Sequence, residues 1–101
     1  MKYFTIKELS KTNHKNIDNT PDETSTNNLI ALVDNILDPL REWYGKPIIV
    51  NSGYRCNKLN TAVKGAKNSQ HIFGEAADIT AGSKTENKKL FEYIRDNLEF
   101  D

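Results

Sequence analysis

Ser69-Gln70-His71-Ile72-Phe73-Gly74-Glu75-Ala76-Ala77-Asp78-Ile79-Thr80 brings two residues of metal-ligating chemistry close together, His71 and Asp78, with six residues between them. An imidazole nitrogen and a carboxylate oxygen are both good Zn²⁺ ligands, and a catalytic zinc takes three protein ligands plus one open position. The run offers two of the three. Ala76 to Thr80 reads as a short strand, so Asp78 lies on or beside that strand and His71 in the loop before it. Gly74 lets the intervening backbone turn tightly or adopt positive φ without a Cβ penalty. On spacing alone, the pair serves equally well as a surface histidine and a capping or turn aspartate.

Outward from this run, the flanking segments predict helices with one earlier strand. Upstream, Ile48-Ile49-Val50 is β-branched and bounded by Pro47 and by Ser52-Gly53, the pattern of a buried strand. Leu29, Leu32, Val33, Ile36, Leu37, Leu40 and Trp43 share one apolar face of a long helix, which Gly45 and Pro47 end and Pro39 kinks or interrupts. Residues 11 to 24 are polar and contain Asn16, Asp18, Asn19 and Pro21, hence a loop. Thr5 and Glu8 have capping-box spacing and open a short helical turn. Residues 57 to 63 form a small helix, followed by a turn at Gly65. Downstream, Ser83 and Glu86 form a second capping-box pair before a helix with Leu90, Ile94 and Leu98 on one face. The expected architecture is α+β, with helices packed on a small, mainly antiparallel sheet whose floor holds the metal site.

Composition narrows the function. The chain has 101 residues, one domain by length, with 37% apolar and 28% charged residues. Fourteen basic and fourteen acidic residues cancel, which gives no electrostatic reason to expect nucleic acid or an anionic membrane as partner. The single cysteine, Cys56, cannot form an intrachain disulfide, so the fold does not need an oxidising compartment. No apolar run approaches a membrane span. Charges at Lys2, Lys7 and Glu8 interrupt any signal-peptide core, so the chain is expected to be made in the cytoplasm or to have lost a leader.

The motifs together resemble a known family. Ser52-Gly53-Tyr54-Arg55, Leu59-Asn60-x-Ala62-Val63, Gly65-Ala66 and Ser69-Gln70-His71-x-x-Gly74-x-Ala76-Ala77-Asp78 resemble the zinc D-alanyl-D-alanine carboxypeptidases, a group that includes bacterial cell-wall carboxypeptidases and phage endolysins. Phe4-x-x-x-Glu8-Leu9, Ile17-Asp18-Asn19 and Leu37-Asp38-Pro39-Leu40-Arg41 extend the likeness over nearly the whole chain. The resemblance implies a hedgehog/DD-peptidase-like fold over residues 1–101 and a Zn²⁺ cofactor, with His71 and Asp78 as the first two ligands. It implies that Arg55 contacts the substrate or the oxyanion, and that Ser69 contacts the substrate terminus. It also implies a third ligand histidine in a Trp-x-His segment, with an acidic general base nearby.

No such segment occurs here, and Leu98-Glu99-Phe100-Asp101 looks like the approach to the strand that would carry it. The expectation is therefore a domain truncated at its C-terminus, lacking the third ligand and the base, inactive or nearly so, and weak in zinc affinity. The intact enzyme would hydrolyse peptidoglycan stem peptides at the cell wall or periplasm, in a phage- or prophage-like setting. Zinc would polarise the scissile carbonyl and lower the pKa of bound water to about 7. Glu75 is near the ligands in sequence, but nothing in its position aims it at a metal. The alternatives are a non-catalytic cell-wall-binding or phage structural module on the same scaffold, and a peptidase for another linkage such as L-alanyl-D-glutamate. His14, in a polar loop, is expected to be solvated. Trp43, Tyr44, Phe91 and Tyr93 are expected as core and rim packing.

Overall fold

A computed structural model of the chain describes residues 1–67 and 69–98. Side-chain caps fix where its helices begin. Thr5 accepts a hydrogen bond from the Glu8 amide at 3.1 Å and opens α1 (Ile6–Leu9). Ser83 does the same for Glu86 at 3.2 Å and opens α5 (Lys84–Asn97). Both caps follow the sequence spacing.

A third cap does not. Asp22 lies in the segment expected to be loop, yet its carboxylate accepts from the Ser25 amide at 2.7 Å and starts α2 at Glu23 (Glu23–Leu32). A carboxylate there satisfies an otherwise orphaned amide and sits at the favourable end of the helix dipole. The fourth cap is Cys56, whose Sγ accepts from the Leu59 amide at 3.4 Å at the head of α4 (Asn57–Ala62).

The long apolar helix is broken, as Pro39 demanded, but one turn earlier than the proline itself. α2 runs into a π-helical turn (Val33–Leu37), in which the Asp38 amide reaches back five residues to the Val33 carbonyl. α3 (Asp38–Tyr44) then begins with Pro39 in its first turn, where a missing N–H costs nothing. The wider turn absorbs the mismatch that a proline in mid-helix would create. Gly45, at φ 75°, closes α3 with its amide on the Arg41 carbonyl.

The sheet has two strands, β1 (Ile49–Ser52) and β2 (Asp78–Thr80), paired antiparallel. Both differ slightly from expectation: β1 is displaced by one residue and extended to Ser52, while Ala76 and Ala77 precede the ladder. The extension follows from an irregularity between Val50 and Ser52, which skips Asn51 and sets Ser52 opposite Asp78. Val50, opposite Ile79, is fully buried, whereas Ile49, opposite Thr80, is exposed. Residues two apart share a face, so Asp78 lies with Thr80 on the face turned away from the core.

That core gathers Phe4, Leu9, Leu29, Val33, Leu37, Leu40, Ile48, Val50, Tyr54 and Leu90. Each fully buried leucine contributes about 1.5–3 kcal/mol relative to exposure, so the helices hold one face of the sheet firmly. The architecture is α+β.

Two aromatics depart from the expected core and rim packing. Trp43 is 49% and Phe91 61% exposed. Trp43 stacks on Tyr93, which itself packs against the rim of the core, with ring centroids 4.2 Å apart. Glu86 also departs from a reciprocal capping box. Its carboxylate accepts from the Tyr44 hydroxyl at 2.8 Å and pairs with Lys89 at 2.7 Å, tying α3 to α5. Among the described residues no helix is long and apolar enough to cross a membrane. Leu98 caps α5, and the rest of the expected strand approach, residues 99–101, lies outside the described residues.

Candidate metal centre

The site begins where β1 ends. Ser52-Gly53-Tyr54-Arg55 passes so close to the end of α1 that the Tyr54 amide bonds the Leu9 carbonyl at 2.7 Å. A Cβ on Gly53 would collide with that same carbonyl, so only glycine fits. The Gly53 carbonyl in turn lies 2.7 Å from Nδ1 of His71. A carbonyl can only accept, so Nδ1 carries a proton, and Nε2 is the nitrogen left to act as a ligand in the neutral ring. Nε2 faces Asp78 Oδ2 at 3.5 Å.

His71 itself sits in a 3₁₀ turn (Gln70–Phe73) that is pinned at several points. Ser69 Oγ caps it by accepting from the His71 amide at 3.2 Å, and the Arg55 amide donates to the His71 carbonyl at 3.0 Å. Gly74, at φ 75°, ends the turn where a Cβ would strike the Ser25 carbonyl of α2. Asn28 Nδ2 holds the Phe73 carbonyl at 2.8 Å. The imidazole is buried, while the Asp78 side chain is 65% exposed, so the pair opens to solvent on the acidic side.

These two donors fit a shared zinc ion. Ligands about 2.0–2.1 Å from a tetrahedral ion lie roughly 3.3 Å apart, close to the 3.5 Å between Nε2 and Oδ2. The Nδ1–H to carbonyl contact is also the arrangement that orients a ligating histidine and raises its basicity. No group of three or more His, Cys, Asp or Glu residues placed to hold an ion occurs among the described residues. His14 is exposed in its loop, as expected, and Glu75 is exposed on the segment leading to β2.

Arg55 and Ser69 come together as well. Arg55 Nη2 donates to Ser69 Oγ at 3.3 Å, and the buried Arg55 Nε has no partner among the described residues. Ser69 thus both caps the turn and touches the guanidinium. Asn19, singled out in the sequence only within Ile17-Asp18-Asn19, has a role that sequence reasoning missed. Buried in the loop, it donates to the carbonyls of Ser10 and Tyr54 at 2.8 and 2.9 Å and accepts from the Cys56 amide at 2.8 Å. It therefore brackets Arg55 from both sides. Its partners are all main-chain groups distant in sequence, so no local pattern announces the role.

Among curated proteins, a 39-residue stretch is 54% identical to the zinc D-Ala-D-Ala carboxypeptidase of Streptomyces albus G. That stretch is 39% of this chain and covers only 15% of the length of the relative. The model of the peptidase M15 family matches residues 2–101. With that match running over almost the entire sequence, the chain belongs to the peptidase M15 family.

Proposed function

We propose that this chain is a zinc metallopeptidase domain that hydrolyses peptidoglycan stem peptides, of the D-Ala-D-Ala carboxypeptidase or endolysin type. The observation that carries the reading is the 3.5 Å approach of His71 Nε2 to Asp78 Oδ2, with Nδ1 already committed to the Gly53 carbonyl. In this reading His71 and Asp78 hold the metal. Arg55, with a guanidinium suited to bidentate contact, grips the free carboxylate that ends a D-Ala-D-Ala peptide. Ser69 Oγ orients that guanidinium and offers a hydroxyl to the same end of the substrate. Bound zinc supplies Lewis acidity to the scissile carbonyl and an acidified water.

Two donors hold zinc less firmly than three, so an ion held by His71 and Asp78 alone would bind weakly. The test is zinc titration against a competing chelator, paired with amine release from a D-Ala-D-Ala-ended peptide. His71→Ala and Asp78→Ala should each abolish binding; zinc uptake indifferent to both substitutions would refute the assignment.

The second reading keeps the same scaffold without the chemistry, as a non-catalytic cell-wall-binding or phage structural module. Zinc uptake through His71 without peptide hydrolysis, combined with retention on cell walls, would select that reading.

A further inference from the structure

Trp43 on α3 and Tyr93 on α5 form a stacked aromatic ridge at the edge of the core, where Tyr93 is partly buried and Trp43 is half exposed. Their rings are stacked 4.2 Å apart at an interplanar angle of 16°, and Trp43 stays 49% exposed. Both rings line two grooves, of about 450 and 570 Å³, each within the size range of small-ligand sites. One groove is walled by Lys89, Glu92, Asp96 and Asn97, the other by Lys2, Asp34, Asp38 and Glu42. Pro39 is the one apolar residue added to the two rings.

This mixture selects a ligand class. A protein partner would want a contiguous apolar centre with charges held to the rim, and here carboxylates and ammonium groups flank the rings directly. A nucleic acid would meet more carboxylates than cations. A neutral pyranose ring fits both features: its C–H face packs on aromatic surface, and its hydroxyls find acceptors in carboxylates and donors in the N–H groups that Lys89 and Asn97 retain beyond their bonds to Glu86 and the Tyr93 carbonyl. Two grooves sharing one ridge suit successive sugars of a chain. We propose that the Trp43–Tyr93 ridge is a binding site for the pyranose rings of a polysaccharide, in particular N-acetylated sugars. The choice of N-acetylated sugars rests on the cell-wall reading above, because those sugars make up the glycan to which stem peptides are attached. The site shares no residue with His71, Asp78, Arg55 or Ser69.

Trp43 is the single tryptophan of the chain, so its fluorescence reports on this site without interference. The experiment is a titration of the chain with β-1,4-linked N-acetylglucosamine oligomers, following Trp43 emission. A saturable change at millimolar oligomer or below is expected. Tyr93→Leu, which keeps apolar volume but removes the ring, should weaken binding by about five- to tenfold, the loss that one aromatic stacking contact corresponds to. His71→Ala should leave the titration unchanged. Absence of any saturable change, an identical affinity in Tyr93→Leu, or an emission change that follows protein concentration instead of sugar would overturn the proposal. The last outcome would mark the ridge as a self-association surface. Since the titration needs neither zinc nor peptide, its failure leaves the metallopeptidase reading standing, and loss of zinc binding leaves the ridge standing.

Discussion

Gly53 does two jobs through atoms that any residue possesses. Its backbone lies against the Leu9 carbonyl, and its own carbonyl fixes the tautomer of His71. Gly53→Ala should therefore cost about 1–3 kcal/mol through overpacking against rigid backbone, measured by urea denaturation. It should also weaken zinc binding, because the His71 ring loses its anchor. A variant as stable and as zinc-avid as the parent would contradict this account. Asn19 is the complementary case, a side chain that substitutes for missing backbone partners. Asn19→Ala leaves the Cys56 amide and the Tyr54 carbonyl without this partner, a loss of about 2–4 kcal/mol. The same denaturation experiment checks it, with Asn28→Ala, at an exposed hydrogen bond, as the milder control.

Among the secondary-structure elements, the caps separate what the sequence discloses from what it hides. Thr5 and Ser83 each precede a Glu by three positions, and both helices begin there. Asp22 acts just as directly, but Pro21 and the neighbouring Asn and Asp residues give the segment the composition of a loop. The π-helical turn was equally hidden: Pro39 announces a break, yet where the break falls depends on how the flanking apolar residues meet the core. That His71 and Asp78 could meet was legible because the two are chemically distinctive and close in sequence, and their side chains do approach to 3.5 Å; the framework that aims them is main-chain hydrogen bonding spread over several elements.

One capping carboxylate and one that ties α3 to α5 also make folding pH-dependent. The Ser25 amide, and then its hydroxyl, hold the Asp22 carboxyl below its ordinary value, and Lys89 followed by Tyr44 does the same for Glu86. A depressed folded-state pKa contributes stability that is present above the unfolded value, about 4 for such carboxyls, and lost as pH falls through the folded value. The melting temperature should thus drop on acidification below about pH 4. Asp22→Asn, which keeps the capping acceptor but cannot titrate, should show a shallower acid loss; an unchanged pH profile would remove Asp22 from this role.

For the molecule as a whole, the site is a junction. Gly53 follows β1, Arg55 precedes α4, His71 sits on a turn braced by α2, and Asp78 opens β2, so segments far apart in sequence converge within a few ångströms. An ion shared by His71 and Asp78 would bind the folded chain and not the unfolded one, in which the two donors have no fixed separation. Zinc should then raise the stability of the entire fold by mass action: at tenfold above the dissociation constant the gain is about 1.4 kcal/mol. For a domain near this size, that corresponds to a rise in melting temperature of about 6–11 °C. The shift should vanish with chelator and in His71→Ala, and should survive Tyr93→Leu, because the aromatic ridge lies outside the junction. A zinc effect of equal size in His71→Ala would mean that the ion stabilises the chain elsewhere, and that the approach of imidazole to carboxylate is a surface ion pair.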